Sequence, residues 1–156
     1  IFLVGQGIRL GKAVKEFNQV IEKLQIPVLT SRLGIDLINS DNRLYVGRPG
    51  NYGERAANFA IQNSDLIISA GCRLASALVG HDPKNFGKNA KKIVIDVDKE
   101  ELNKPGVLID IKFHNNVKNV FKEILAQTES IESQDFTDWI QRCNYWKKTY
   151  SVVLKH

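Results

Sequence analysis

The chain has 156 residues, 43% hydrophobic and 25% charged, which suits one globular domain with a buried core. Its net charge of +5 comes from scattered lysines, with only the short pairs Lys91-Lys92 and Lys147-Lys148, so it describes a solvated face and not a nucleic-acid-binding block. There is no membrane-length apolar run and no secretory leader, and Cys72 and Cys143 have no metal-ligand spacing, so the expectation is a cytoplasmic protein with free thiols and no membrane partner.

Residues 1–4, IFLV, form an apolar run ended by Gly5, as a buried parallel strand would be. A start inside a strand is read as a sign that an upstream segment is missing and that the chain is part of a larger protein. From 12 to 24, Ala13, Phe17, Val20, Ile21 and Leu24 recur at helical spacing. A second strand is expected at 26–30, led in by Pro27. Strand, glycine turn, helix and strand together fit a right-handed βαβ crossover.

Residues 31–53 are rich in Gly, Asn and Asp and show no sustained period, so they read as a long functional or packed loop. RAANFAIQNS reads as a short helix whose Ala56, Ala57 and Ala60 allow close approach to a sheet. A buried strand follows at 65–70, ended by Gly71. Residues 72–91 are mixed, with a helical turn expected at 74–79. A strand is expected at 92–98, a short helix or turn over KEELNK, and a strand at 107–111. Asn115 or Asn116 can cap a helix carrying Val117, Val120, Phe121, Ile124 and Leu125 on one face. QTESIESQ reads as a linker. The last helix, at 136–150, carries a stripe of Phe136, Trp139, Ile140, Cys143, Trp146 and Tyr150, which fits packing against this domain or a neighbouring one. Cys143 on that stripe is a packing residue.

Strands alternating with helices predict an α/β fold, a Rossmann-like parallel sheet with helices on both faces. The expected division is a Rossmann-like central domain at 1–127, then a linker and aromatic helix at 128–156 leading to a missing domain. Ligands in such sheets bind beyond the carboxyl ends of the strands. Those points are Gly5-Gln6-Gly7, residues 30–33, residues 71–73 and residues 96–98.

A nicotinamide-dinucleotide fingerprint does not fit. Gly5, Gly7 and Gly11 put the third glycine one position late, and the second strand ends in Thr30, Ser31 and Arg32 with no acid for the ribose. The glycines suit a diphosphate near a helix N-terminus and equally suit a tight turn. Asp96 and Asp98 flank Val97 and would share one side of an extended strand. Such acids hold a ribose or cap a helix, and Asp98 is placed to cap KEELNK. His81, His114 and His156 are isolated loop or terminal residues. No nucleophile–base–acid set can be assembled.

NSDLIISAGCRL, continued by KKIVIDVDKEELNK, resembles the central domain of thiamine-diphosphate-dependent enzymes of the acetolactate synthase and pyruvate oxidase group. The opening strand with Gly5-Gln6-Gly7, the segment IPVLTSRLG and the stretch from GRPGNYG to ISAGCRL match in the same order. The aromatic helix is similar to the segment leading out of that domain. The resemblance covers nearly the whole chain.

It implies a three-domain enzyme that makes or breaks carbon–carbon bonds of 2-oxo acids such as pyruvate. Thiamine diphosphate and magnesium would be held by the flanking pyrimidine-binding and diphosphate-binding domains, and the full-length protein would be a homo-oligomer. The isolated chain would be inactive, with no catalytic residue and no metal site of its own. In flavin-containing members this domain holds FAD. Carried over by position, the cofactor contacts are Gly5, Gln6, Gly7, Arg32, Leu33, Gly34, Gly71, Arg73, Asp96 and Asp98. The loop Arg48, Pro49, Asn51 and Tyr52 is expected toward the substrate channel or the flavin, or is a rigid turn before a helix.

Two features depart from the flavin pattern: Leu74-Ala75-Ser76-Ala77 replaces an acidic and basic stretch, and Asn115-Asn116 replaces a Gly-Asp pair. Members without flavin keep the fold with the pocket empty or holding ADP. FAD, ADP and a purely structural domain therefore all remain open. The alternative reading from a different class is a free-standing FAD- or ADP-binding module. A sirtuin-like enzyme would need a four-cysteine zinc site, and two cysteines do not supply it.

Overall fold

The computed structural model describes residues 1–128 and 134–152. Six parallel strands form one sheet in the order β3-β2-β1-β4-β5-β6. They are β1 (Phe2–Val4), β2 (Val28–Thr30), β3 (Tyr45–Gly47), β4 (Leu66–Ala70), β5 (Lys91–Asp96) and β6 (Ile111–His114). This is the order of dinucleotide-binding sheets, and it reverses direction between β1 and β4.

The helices are α1 (Gly7–Leu10), α2 (Val14–Leu24), α3 (Arg55–Asn63), α4 (Ser76–Val79), α5 (Lys99–Asn103), α6 (Val117–Gln127) and α7 (Thr137–Thr149). The main ones cover both faces of the sheet. Strand residues alternate between these faces, which explains why the central strands read as continuous apolar runs. Phe2, Val4, Val28 and Ile95 pack with Phe17 and Val20 of α2 and Phe121 of α6. The Phe121 ring meets Phe2 edge-on at 6.3 Å between centroids and Phe17 at 6.2 Å. On the other face Leu3, Leu29, Ile67 and Val94 meet Ala56, Ala57 and Ala60 of α3 and Cys143 of α7. The alanines let α3 lie close to the sheet.

The aromatic stripe of α7 is turned largely onto α3. Trp146 and Tyr150 approach the Phe59 ring at 5.9 and 5.1 Å, and Trp139 meets Trp146 edge-on at 5.7 Å. Lys147 fastens the helix to the sheet edge. Its Nζ donates to the Ser40 and Tyr45 carbonyls at 2.8 and 2.9 Å and lies 5.1 Å from the Tyr45 ring centre.

Several elements differ from the sequence expectation. The helix expected at 12–24 is preceded by the separate short α1, because Lys12 takes φ 54° and breaks the ladder between them. The 31–53 segment contains β3 and a tight turn at Arg32–Gly34; three-residue elements are too short to show a period. The strand expected at 107–111 lies further on, as β6. Val107 and Ile109 instead pack against the α3-side core from a loop, whereas all four β6 residues are exposed on the sheet edge and carry no burial pattern. His114 therefore sits on a strand and not in a loop. The 92–98 strand stops at Asp96, and of 74–79 only Ser76–Val79 is helical. The linker QTESIESQ falls for its central part, 129–133, outside the described residues, as do residues 153–156, including His156.

Phe121 is fully buried between two other rings, whereas Phe113 on β6 is 44% exposed. Phe121→Ala is expected to cost about 3–5 kcal/mol in urea unfolding, and Phe113→Ala to stay within about 1 kcal/mol of the parent. Similar losses from the two substitutions would contradict this assignment of the core.

Candidate functional site: a cleft at the carboxyl ends of the strands

Parallel strands of this order leave a crevice where the strand order reverses. Here that point is the meeting of two glycine turns, one after β1 and one after β4. A Cβ on Gly7 would stand 2.5 Å from Gly71 Cα, and one on Gly5 would stand 2.3 Å from the Gly71 carbonyl oxygen. Gly71 itself has φ +56°, where side chains are strained. Backbone contact alone therefore requires glycine at all three positions.

The same contact uses the donors of the turn. The Gly5 N–H donates to the Ala70 carbonyl at 3.1 Å and the Gly7 N–H to that of Gly71 at 2.9 Å. The N–H groups of Ile8 and Arg9 donate to the Gly5 and Gln6 carbonyls. The first turn of α1 thus has internal partners for the groups a helix start usually leaves free. The tight-turn reading accounts for these glycines.

Beyond the turns opens a cleft of about 1350 Å³. Eight of the ten residues expected at a cofactor site line it: Gln6, Gly7, Arg32, Leu33, Gly71, Arg73, Asp96 and Asp98. Gly5 and Gly34 do not line it. Gly34 lies below the floor, where a Cβ would come within 3.1 Å of the Val4 carbonyl oxygen.

The charged side chains of the cleft differ in what they already hold. Arg73 pairs with Glu101 through Nη2 at 2.6 Å and Nε at 2.8 Å. Lys104 bonds Glu101 at 2.5 Å and also donates to the Arg73 carbonyl. This cluster ties the β4 turn to α5. Burial alone would raise the Glu101 carboxyl, but the hydrogen bonds from Lys104 and Arg73 outweigh it and hold the group below its usual range. Arg48 pairs with Glu54 at 3.2 Å. Arg32 makes no ion pair among the described residues, so its guanidinium is the cleft arginine left open for an anion.

Asp96 ends β5 and is 9% exposed. Its Oδ1 accepts from the Asp98 N–H at 3.0 Å. Asp98 lies past the end of the strand, and its side chain accepts from the Glu100 N–H at 2.9 Å, which makes it the N-cap of α5. The two acids therefore do not act as a side-by-side carboxylate pair.

Apolar surface completes the cleft. Leu10, Leu33, Tyr52 and Val97 line it and are 73, 63, 99 and 63% exposed. Sequence reasoning missed Leu10, Val97 and Glu101 as lining residues, since their helical or strand-end positions carried no motif, and it named Asn116 only as a cap candidate and as a departure from the flavin pattern. The loop bearing Tyr52 is rigidly built. Asn58 bonds both the N–H and the carbonyl of Gly50, and the Asn51 N–H donates to Ala77 at 2.9 Å. Gly50 and Gly53 leave no room for a Cβ. A fully exposed tyrosine is thus held on a fixed support.

Both thiols are free and buried. Burial pushes Cys72 up to about 11 and Cys143 up to about 12, so both stay protonated at neutral pH. Among the described residues no three His, Cys, Asp or Glu side chains converge on a metal position, and no helix is long and apolar enough to cross a membrane.

Sheet order, switch-point cleft and mixed polar and apolar lining define an α/β domain of the nucleotide-binding kind. Comparison with known proteins narrows this. The family "Thiamine pyrophosphate enzyme, central domain" matches residues 1–124, and the chain belongs to that family.

Among curated relatives, a probable acetolactate synthase large subunit of Methanococcus aeolicus is 33% identical over 100% of this chain and 27% of its own length. One of Methanocaldococcus jannaschii is 34% identical over 95% of this chain and 25% of its own. The acetolactate synthase large subunit of Lactococcus lactis is 34% identical over 90% of this chain and 24% of its own. The chain thus spans about a quarter of the length of these relatives.

Glu101 has its carboxyl lowered in the folded chain, so it stabilises the fold above its unfolded value of 4.5, and that stabilisation is lost as pH falls through the folded value. Glu101→Gln should be less stable than the parent at about pH 7, with the gap closing toward about pH 3. Urea unfolding across this range checks it; a gap that stays constant on acidification would show that the ion cluster does not carry the effect.

Proposed function

We propose that this chain is the central, nucleotide-holding domain of an acetolactate synthase-like enzyme that makes or breaks carbon–carbon bonds of 2-oxo acids. In the complete enzyme, thiamine diphosphate supplies the carbanion chemistry beside the carbonyl. Thiamine diphosphate and its magnesium belong to flanking pyrimidine-binding and diphosphate-binding domains, and α7 leads toward the next of these. The whole enzyme works as a homo-oligomer in the cytoplasm. The chain by itself turns over no substrate.

The observation that carries the nucleotide reading is the cleft at the switch point. Its volume exceeds the roughly 300–1,000 Å³ of pockets for small ligands, and it suits an extended ligand such as FAD or ADP. Its residues fit such a group. Arg32 supplies a free guanidinium for the diphosphate, and Asp96 offers its remaining carboxylate oxygen to a ribose hydroxyl. Gln6, Gly7 and Gly71 form the floor on which the diphosphate lies, with Gly5 and Gly34 setting the backbone beneath it. Leu33 and Tyr52 present apolar surface to a flat ring. Arg73 and Asp98 support the wall, Arg73 through Glu101 and Asp98 as a cap. Arg48, Pro49 and Tyr52 shape the mouth that faces the catalytic domains.

Calorimetric titration of the chain with ADP and with FAD tests this. Arg32→Ala is expected to weaken binding about tenfold, as loss of one charge-assisted contact does. Arg73→Ala should act first on stability and leave binding within about threefold. Absence of heat with both ligands overturns the nucleotide reading and leaves a structural domain.

A further inference from the structure

We propose that the outer edge of β6 is a self-association surface, on which β6 of a second copy of this chain pairs antiparallel about a two-fold axis at Ile111. The inference is independent of the cleft and of the nucleotide reading above.

β6 ends the sheet, and among the described residues no strand pairs with its outer side. Its inner side is fixed. The Asp110 N–H donates to the Lys92 carbonyl at 3.0 Å, and Ile111, Lys112, Phe113 and His114 stand in register with Ile93, Val94, Ile95 and Asp96. Backbone groups of successive strand residues point to opposite edges. Those of Asp110 and Lys112 therefore face β5, and those of Ile111 and Phe113 face outward. The Phe113 carbonyl is taken by the Asn115 N–H at 3.1 Å, which leaves Ile111 as the residue with both an open donor and an open acceptor. Open groups on an edge strand are a template for another strand. The edge is also apolar, since Ile111 and Phe113 share one face and are 47 and 44% exposed.

Charge complementarity selects a second copy as the occupant. About a two-fold at Ile111, each Ile111 N–H donates to the Ile111 carbonyl of the other copy, the closed pair of an antiparallel ladder. Asp110 of each copy then stands directly opposite Lys112 of the other, so the match occurs twice. Such neighbouring pairs carry no backbone bonds between them and bring their side chains closest, with Cα atoms about 4.5 Å apart. The adjacent registers fail. An axis at Lys112 sets lysine against lysine, one at Asp110 sets aspartate against aspartate, and one at Phe113 meets the carbonyl already in use.

Both ions have capacity left for this contact. Lys112 Nζ gives one of its three donors to Asn103 Oδ1 at 3.0 Å. Asp110 accepts the Lys92 N–H through Oδ2 at 2.7 Å, and its Oδ1 has no partner among the described residues. On the opposite face Phe113 of each copy falls diagonal to Ile111 of the other, within reach of an aromatic ring. The exposed apolar stripe thus covers itself, as a surface shared by two identical copies must.

Sedimentation equilibrium of the chain over a concentration series tests this. The mass is expected to rise from monomer to dimer with concentration. Asp110→Lys and Lys112→Asp each set like charges opposite one another, and each variant alone should remain a monomer where the parent dimerises. An equal mixture of the two brings a chain with two lysines against a chain with two aspartates, and dimer mass should return. Ile111→Arg, at an exposed position, sets two cations on the axis and should also give a monomer. Unfolding midpoints show which variants fold; should Asp110→Lys unfold through loss of its Lys92 bond, Lys112→Asp and Ile111→Arg decide. A parent chain that stays monomeric up to about 1 mM overturns the inference. So does a dimer that survives Lys112→Asp and Ile111→Arg, since it then forms through another face, and so does a mixture of folded variants that stays monomeric.

Discussion

The contact between the Gly7 and Gly71 backbones is the constraint on which the rest of the structure depends. It joins the turns after β1 and β4, the two strands at which the sheet reverses direction. Any side chain at either position would push the turns apart. With them would move the β1–β4 pairing at the centre of the sheet, where Phe2, Leu3 and Val4 pair with Ile68, Ser69 and Ala70. The same crossing holds the cleft open, since its floor is the upper surface of these two turns.

That constraint moves recognition away from the backbone. In many α/β sheets the first helix turn offers free N–H groups to a phosphate. Here those groups bond to Gly71, Gly5 and Gln6. The side chains at the cleft margin are Arg32 after β2, Asp96 at the end of β5 and Asn116 before α6. The neighbouring ions have other work. Arg73, Glu101 and Lys104 lock α5 to the β4 turn, and Arg48 with Glu54 braces the loop before α3. Arg32 and Arg73 carry the same group on the same cleft, but among the described residues only Arg73 is held by an ion pair.

Much of this was legible in the sequence where burial is two-sided. IFLV and LIISA read as strands because both faces are covered, and the α2 and α6 stripes read as helices because one face is. The cap at Asp98 was legible from residue type, and so was a cap at Asn115 or Asn116, which the structure places at Asn116. Exposure hid the rest. β6 carries Ile, Lys, Phe and His, all exposed at the sheet edge, and the half-buried loop residues Val107 and Ile109 gave the stronger apolar signal beside it. β3 is three residues long inside a glycine-rich segment. For the site, motif position found the cleft but did not separate floor from wall. Gly5 and Gly34 are glycines for packing and sit beneath the surface. Asp96 and Asp98 part company because the strand ends between them. The engagement of Arg73 is a tertiary fact, made by Glu101 from a helix 28 residues further along the chain.

The chemical character of the chain follows from the same packing. Its thiols are buried among apolar groups and stay protonated, and its cleft carboxylates Asp98 and Glu101 are tied to a helix start and an ion cluster. Such groups hold position. Among the described residues, the cleft mouth carries an exposed tyrosine, an arginine with no ion pair and apolar surface. A domain built this way contributes geometry. Lys147 and the aromatic stripe keep α7 fixed at the β3 edge and against α3.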